Sequence, residues 1–146
     1  MNLLDVNVLL ALLWRSHPDF ELADRWFHAN AKAGWATCAL TQAGFIRISA
    51  QKSFQHSDRP IEDIANGLHK ATASSSHRFL NIDFPFQTVR ETCTGGLVGH
   101  RQITDAYLLT LAIKNKAKFI SLDAGVRQLL ATALERKRHL VILQGE

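Results

Sequence analysis

Residues 1–13 read MNLLDVNVLLALL, and a single charged side chain, Asp5, interrupts an otherwise apolar run. A buried carboxylate is costly unless a cation, a hydrogen-bond donor or an open cleft compensates it. The segment FISLD, residues 119–123, repeats the pattern, because Asp123 ends a second apolar run. Both segments predict a buried strand that ends in an aspartate.

Short apolar runs alternate along the chain with longer segments of helical period. This alternation is typical of an α/β domain with a mainly parallel central sheet. We expect Asn7 and Thr41 to be the N-caps of the first and third helices, and Gly34 to end the second. The predicted strands are residues 2–6, 35–40, 78–83, 118–123 and 139–143, and the predicted helices are residues 7–14, 20–32, 41–51, 61–72, 103–115 and 126–137, with a loop at 55–60 and a turn at 74–77.

The chain length fits a single domain, residues 1–146, with one hydrophobic core. Hydrophobic residues make up 47% of the chain and charged ones 21%, which excludes general disorder. The longest apolar runs are much shorter than the roughly 20 residues that cross a bilayer, and no basic signal-peptide region precedes the first strand. We therefore expect a cytoplasmic protein with no membrane association, in which Cys38 and Cys93 are reduced packing residues.

The chain carries a net charge of +4 and has a pI of about 9.4, which favours an anionic partner such as nucleic acid. Part of the surplus lies in the cluster ERKRH, residues 135–139, for which a solvated surface is the simpler interpretation. No zinc site is expected, because the histidines lack metal-ligand spacing. Of these, only His100 is close in sequence to a candidate site residue; the seven are His17, His28, His56, His69, His77, His100 and His139.

Three aspartates are the candidates for chemistry. Ligands of parallel α/β sheets bind beyond the carboxyl ends of the strands, where the strand order reverses, so Asp5 and Asp123 are expected to converge there. Asp105 follows Thr104 at the start of the most apolar predicted helix and can reach the same rim. Three carboxylates around one cleft repel one another unless a divalent cation holds them, and oxygen ligands favour Mg²⁺ or Mn²⁺.

Each acid also has a simpler interpretation. Asp5 and Asp123 can be helix N-caps that follow their strands, and Asp105 can stabilise the first turn of its own helix. Asp83 also ends a predicted strand, but FPF follows it instead of a helix start, so we assign it a structural role.

Three motifs resemble those of one known family. LLDVNVLL is similar to the opening D-x-N motif of PIN-domain nucleases, TDAYLLTLA to their T-D-A helix motif, and FISLD to their last acidic strand. In this order they cover nearly the whole chain, and the nearest resemblance is to VapC-type ribonuclease toxins of bacterial toxin–antitoxin pairs. The resemblance implies a PIN-like three-layer α/β/α domain. It also implies metal ligation by Asp5 and Asp105, an acidic pocket completed by Asp123, and support from Asn7 and Thr104.

The resemblance further implies a Mg²⁺-dependent endoribonuclease that hydrolyses RNA phosphodiesters, with Mn²⁺ as a possible substitute, and with Asp5, Asp105 and Asp123 as the catalytic residues. Arg47 and Arg101 are candidates for holding flanking phosphates. The implied partners are RNA, a VapB-like antitoxin and a second copy of the chain. The antitoxin is expected to wrap a C-terminal segment around an apolar groove beside Trp14 and Trp26.

The chain departs from the family at one position. The second family acid, usually a glutamate, belongs in the helix after the second strand, but LTQAGFIRIS, residues 40–49, contains no acid. Some members carry the glutamate where Gln42 stands, and the general alignment places it at Gly44. Gln42 is expected to turn its amide oxygen toward a metal-bound water. The missing acid leaves open an alternative function, a catalytically weak PIN-like module that mainly binds an antitoxin or RNA.

Two other phosphate-chemistry classes are disfavoured. A haloacid-dehalogenase-type phosphohydrolase needs an aspartate two residues after its nucleophile, and Asn7 stands there. A response-regulator receiver needs an acidic pair before Asp5, and the chain has none.

Overall fold

The computed structural model describes residues 1–54 and 58–145, and within them five short strands form one sheet. The strand order is β3-β2-β1-β4-β5, and every neighbouring pair is parallel. The sheet thus grows outward from β1 to β3, and the chain then returns to place β4 on the other side of β1. The strands are β1 (Asn2–Leu4), β2 (Trp35–Cys38), β3 (His77–Leu80), β4 (Lys118–Ser121) and β5 (Leu140–Ile142).

Helices connect the strands and cover both faces of the sheet. Across the same described residues the α-helices are α1 (Val6–Leu13), α2 (Phe20–Asn30), α3 (Ala39–Ser49), α4 (Ile61–Thr72), α5 (Phe86–Thr92), α6 (Ile103–Lys114) and α7 (Ala133–His139), with 3-10 turns at Ala31–Ala33, His100–Gln102 and Ala124–Leu129. None of these helices has the length and apolar character required to cross a membrane.

The two faces of the sheet separate the core into two clusters, because successive strand residues point to opposite sides. Leu3 and Phe119 pack with α5 and α6 on one face. Leu4 and Ile120 pack with α1, α3 and α4 on the other, where the partly buried apolar residues of α2 join them. The predicted three-layer α/β/α architecture is confirmed, and the mainly parallel sheet proves to be parallel throughout.

The starts of two helices differ from the prediction. Asp5, not Asn7, is the N-cap of α1, and its side chain accepts a hydrogen bond from the Val6 backbone N–H. Cys38, not Thr41, precedes α3, while Thr41 lies in its first turn and accepts a hydrogen bond from the Cys38 backbone N–H at 2.9 Å. In both cases the helix begins directly at the end of a strand, so the predicted strands 2–6 and 35–40 are too long.

Three further elements correct the prediction. The segment predicted as one helix over 126–137 is a 3-10 turn followed by α7, because Thr132 caps a new helix with a capping box to Glu135. The helix α5 was not predicted, since its seven residues show too little apolar period. The second helix ends at Asn30 and a 3-10 turn precedes Gly34, whose φ of +94° confirms it as the terminating glycine. Part of the predicted loop 55–60, including His56, lies outside the described residues.

Cys38 and Cys93 are free and buried, as expected of packing residues.

A glycine controls how the loop after α5 packs under the turn after β4. A Cβ at Gly95 would lie 2.1 Å from the carbonyl oxygen of Gln128 and 2.9 Å from the carbonyl carbon of Leu129, so the two backbones approach only because position 95 has no side chain. Gly67, within α4, has nothing within 4 Å of such an atom.

We predict that Gly95→Ala destabilises the protein by about 2 kcal/mol or more, because backbone atoms have to move. Gly67→Ala is the matched control and should be neutral or stabilise by up to about 1 kcal/mol through helix propensity. Chemical denaturation of the two variants measures both effects. Equal stability of the two variants would contradict the packing described here.

Candidate active site

The three aspartates lie where the strand order reverses. Asp5 directly follows β1, Asp123 lies two residues beyond β4, and Asp105 is in the first turn of α6. Because β1 and β4 are adjacent and parallel, their carboxyl ends meet at one rim of the sheet. The predicted convergence of Asp5 and Asp123 therefore follows from the topology.

Asp5 is a buried carboxylate with both oxygens hydrogen-bonded. The residue is 6% exposed. Its Oδ1 accepts from the Val6 N–H at 2.7 Å, and its Oδ2 accepts from the Ser121 hydroxyl at 2.7 Å. Burial raises the pKa of Asp5, and the hydrogen bonds from Ser121 and Val6 oppose this shift. Asp5 is thus an N-cap and a site carboxylate at once, so the two interpretations of this residue do not exclude each other.

Ser121 is the residue that holds Asp5, and the sequence prediction missed it. Its hydroxyl donates to Asp5 and also accepts from Asn7 Nδ2 at 3.2 Å and from the Asp123 N–H at 3.0 Å. Its side chain is fully buried. A hydroxyl at the end of an otherwise apolar strand, in FISLD, was the available signal.

Asn7 joins α1 to the end of β4. Its Nδ2 donates to Ser121, and its Oδ1 accepts from the Leu122 N–H at 3.1 Å. Both ends of the amide are therefore used to fix the chain on either side of Ser121. Asn7 is not the helix cap, but its contacts agree with the supporting role that was predicted for it.

Asp105 experiences the charges of the other two acids. Its pKa is raised to about 7, first by burial and then by the negative charges of Asp5 and Asp123. This mutual influence brings the three predicted acids into one electrostatic site. Thr104, beside Asp105, is exposed, and its supporting role stays a prediction.

Asp123 is the most exposed of the three acids. Its Oδ1 accepts from the Gly125 N–H at 2.8 Å, so it caps the 3-10 turn that follows β4. The capping contact uses one carboxylate oxygen of Asp123, whereas Asp5 uses its second oxygen to accept from Ser121.

The structure does not bring Gln42 to the acids. Its amide donates to Thr37 Oγ1 at 3.0 Å, and Thr37 in turn contacts His77 Nε2 at 2.8 Å. Gln42 also lines a groove with residues of α4 and with Phe79. The amide nitrogen of Gln42 is therefore bound to Thr37 of β2, and the expected contact of its amide oxygen with a metal-bound water stays a prediction.

Gly44, the other position considered for the missing acid, packs against the helix that follows Asp5. A Cβ at Gly44 would lie 2.7 Å from Val6 Cγ2. Helix α3 thus approaches α1 too closely for a side chain at this position, and neither Gln42 nor Gly44 supplies a carboxylate.

Arg47 lies in the last turn of α3 and Arg101 in the turn before α6, and both are exposed. Their role in holding phosphates stays a prediction. The predicted antitoxin groove beside both Trp14 and Trp26 stays a prediction, and within residues 1–54 and 58–145 each tryptophan lines a different groove. Trp14 lines a narrow groove between α1 and α4, whereas Trp26 lines a groove that contains Asn2 and Lys118 at the starts of β1 and β4.

The donor set of the site suits a hard divalent cation in chemistry and in charge. The side chains offer carboxylate and hydroxyl oxygens, which Mg²⁺ and Mn²⁺ prefer. The pKa values of Asp5 and Asp105 are raised first by burial and further by the charges of neighbouring acids, and a bound cation would offset both effects. Within residues 1–54 and 58–145, however, no three His, Cys, Asp or Glu side chains form a ready-made metal cage. The fit is therefore electrostatic, and closure around a cation would require side-chain movement.

A parallel sheet of this order, with three aspartates at its reversal point, defines an α/β domain with an acidic site at the carboxyl ends of its central strands. The family described as PIN domain matches residues 3–131. The chain belongs to this family, among its VapC-type members. Ribonuclease VapC38 of Mycobacterium tuberculosis is 44% identical over 126 residues, which are 86% of this chain and 87% of the relative. Ribonuclease VapC44 of the same species is 37% identical over 141 residues, 97% and 98% of the two chains.

Solved structures share the fold at lower identity. The crystal structure of VapBC2 from Rickettsia felis, bound to a DNA fragment from their promoter, superposes with a TM-score of 0.61 at 13% identity and covers 98% of both chains. FitAcB from Neisseria gonorrhoeae superposes with a TM-score of 0.61 at 19% identity and covers 96% of both chains. These likenesses establish the architecture.

We predict that Asp105→Asn raises the stability of the metal-free protein at pH 8 and has little effect below pH 4. The folded pKa of about 7 exceeds the ordinary 3.8, so the stability that protonated Asp105 contributes is complete below about pH 4 and is lost as the pH rises through 7. Asparagine removes this loss. The melting temperature of the variant minus that of the native protein, measured with a chelator present, should therefore grow between pH 5 and pH 8.

Asp83→Asn serves as the control, because Asp83 is an exposed acid outside the site. A pH-independent difference for Asp105→Asn, as for this control, would contradict the shared field of the three acids.

Proposed function

We propose that the protein is a Mg²⁺-dependent endoribonuclease that cleaves RNA phosphodiesters and is neutralised by a cognate VapB-like antitoxin. The observation that carries the proposal is the group of three aspartates at the reversal point of the sheet, where burial and then the charges of Asp5 and Asp123 raise the pKa of Asp105 to about 7. The relatives named ribonucleases, which match most of the chain, support the activity. The three-layer fold shared with VapBC2 supports pairing with an antitoxin.

Asp5, Asp105 and Asp123 are the residues that would hold Mg²⁺. When bound, the cation supplies an activated water and stabilises the negative charge that develops on the phosphate. Asp5 is held in one orientation, because Val6 and Ser121 fix its two oxygens. Asn7 fixes Ser121 in turn. The chain thus presents a preoriented carboxylate at the centre of the site.

Asp105 also binds a proton when no cation is present. With a pKa of about 7, its carboxyl group is about half protonated at neutral pH without a cation. A positive charge nearby favours the ionised form and lowers that pKa. Cation binding is therefore expected to release a proton from Asp105 and to strengthen as the pH rises from 6 to 8.

A second candidate is a catalytically weak PIN-like module that mainly binds an antitoxin or RNA. The observation in its favour is the absence of a carboxylate from α3, where Gln42 is turned toward Thr37 and Gly44 is packed against Val6. Metal-dependent cleavage by the purified protein separates the two candidates.

We predict that Asp5→Asn or Asp105→Asn lowers RNA cleavage at least about 100-fold and abolishes toxicity in cells, because each removes charge from the cation site. Asp123→Asn should cost about tenfold, since Asp123 is more exposed and completes the pocket from outside. Cleavage of total bacterial RNA, titrated against Mg²⁺, measures these losses.

The fold should survive these substitutions. An asparagine at position 5 has nearly the same volume and keeps one acceptor oxygen, which can serve either the Val6 N–H or the Ser121 hydroxyl, so circular dichroism should be unchanged. Asp83→Asn is the matched control and should cleave normally. Full cleavage by Asp5→Asn, or cleavage that ignores Mg²⁺, would refute the metal-nuclease function, and a native protein without cleavage would establish the binding module.

We also propose that the protein forms a homodimer. Exposed apolar side chains support it: Val98 is 90% exposed, and Phe86 and Ile103 are each 37% exposed. They line one groove of about 530 Å³ that continues into Leu97. Apolar surface of this kind is typical of protein interfaces.

We predict that Val98→Asp weakens self-association at least tenfold without lowering the melting temperature, because the Val98 side chain is almost entirely exposed in the single chain. Leu134→Asp, at a residue of α7 that is 66% exposed, is the control and should leave association unchanged. Sedimentation velocity over a range of concentrations measures the effect. A dimer that tolerates Val98→Asp would place the interface elsewhere.

A further inference from the structure

A basic groove lies at the amino ends of the strands, whereas the aspartates lie at their carboxyl ends. It has a volume of about 560 Å³ and contains Asn2 at the start of β1 and Lys118 at the start of β4. His139, directly before β5, also lines it. Because all strands are parallel, these amino ends lie at the opposite end of the sheet from Asp5 and Ser121. The groove is therefore separate from the catalytic site.

Cations form the rim of this groove. Lys116, Lys118 and Arg138 line it and are all exposed. Within the described part of the chain, no aspartate or glutamate lines this groove. Neither the ion pair of His28 with Asp24 nor that of Lys52 with Asp58 involves a rim cation. The three rim charges are thus left without an acidic partner among residues 1–54 and 58–145.

The ERKRH cluster divides between two roles. Glu135 accepts hydrogen bonds from Thr94 and Thr132, and Arg136 donates to the carbonyls of Arg127 and Leu130, so both serve the structure of α7. Arg138 and His139 line the groove instead. Arg138 is exposed, as the solvated-surface interpretation predicts, and it also belongs to the groove.

The lining of the groove also includes apolar side chains, one of them aromatic. Trp26, Met1, Ile113 and Val141 line it and are partly buried. A positive rim that follows phosphates, together with an aromatic side chain that accepts a base, is the combination by which proteins bind single-stranded nucleic acid without sequence preference. An acidic protein tail would use the rim but has no need of the ring.

We propose that this groove, formed by Lys116, Lys118, Arg138 and Trp26, is an accessory RNA-binding surface. It holds the substrate at the amino ends of the strands, away from the catalytic aspartates at their carboxyl ends. The inference rests on the proposed ribonuclease function and extends it. The length of β4 separates its amino and carboxyl ends by about 10 Å, and the path around the surface is longer. The enzyme is therefore selective for RNA long enough to occupy both places.

The test combines three substitutions, Lys116→Gln, Lys118→Gln and Arg138→Gln, and compares them with a control of equal charge, Lys52→Gln, Lys70→Gln and Arg78→Gln. The control cations are exposed and lie outside the groove. Both triple variants carry Asp105→Asn, so that RNA is bound but not cleaved. The probe is a labelled uridine oligomer of roughly 30 nucleotides, long enough to pass around the sheet, and fluorescence anisotropy gives its Kd as a function of salt.

The groove variant is expected to bind the oligomer about tenfold more weakly at low salt and to reduce the salt slope by about 2, since each lost phosphate contact contributes about 0.7 for a single strand. The control variant should change the Kd by less than about twofold. Equal binding by the two variants would overturn the inference.

Cleavage separates this inference from the function on which it rests. With Asp105 intact, the groove variant should cleave total bacterial RNA with a raised KM and an unchanged kcat. If the native protein does not cleave RNA in Mg²⁺, the proposed function fails while the binding result stands. If it cleaves and the groove variant keeps the native KM, the accessory surface is refuted alone.

Discussion

The hydrogen bond from Ser121 to Asp5 is the contact on which the arrangement of the site depends. It joins the ends of β1 and β4, the two strands between which the order of the sheet reverses, at an oxygen distance of 2.7 Å. Without it, a carboxylate that is 6% exposed would lose the side-chain donor that offsets its burial. Asn7 then ties α1 to the residue after Ser121, so one small network sets the strand ends, the start of the helix and the orientation of the first acid.

The three aspartates concentrate negative charge at one rim of an otherwise basic protein. Asp105 is held where burial and the charges of Asp5 and Asp123 raise its pKa to about 7, which costs the metal-free fold stability at neutral pH. Such a cost is typical of functional sites, where perturbed carboxylates await a ligand. At the amino ends of the strands, Lys116, Lys118 and Arg138 form a positively charged cluster. The parallel sheet keeps the two regions apart, so neither neutralises the other.

The sequence predicted the strands, the long helices and the three aspartates, because each rests on a local pattern of apolar residues ending in a polar one. It did not predict which residue caps a helix that begins directly at a strand end, since Asp5 and Asn7 are both good caps and only the observed backbone separates them. It also missed α5 and the break before Thr132, where short segments leave too little period to read. Ser121, Gln42 and Gly44 depend on contacts across the sheet or between helices, and a local pattern carries no information about those.

A carbon-13 NMR titration of the aspartate carboxyl groups, with and without Mg²⁺, tests whether Asp5 and Asp123 act on the pKa of Asp105 and whether the three acids accept the cation. We expect Asp105 to titrate near pH 7 in the metal-free protein and added Mg²⁺ to lower its pKa by more than one unit. Titration near the ordinary value of 3.8, unaffected by Mg²⁺, would contradict this expectation.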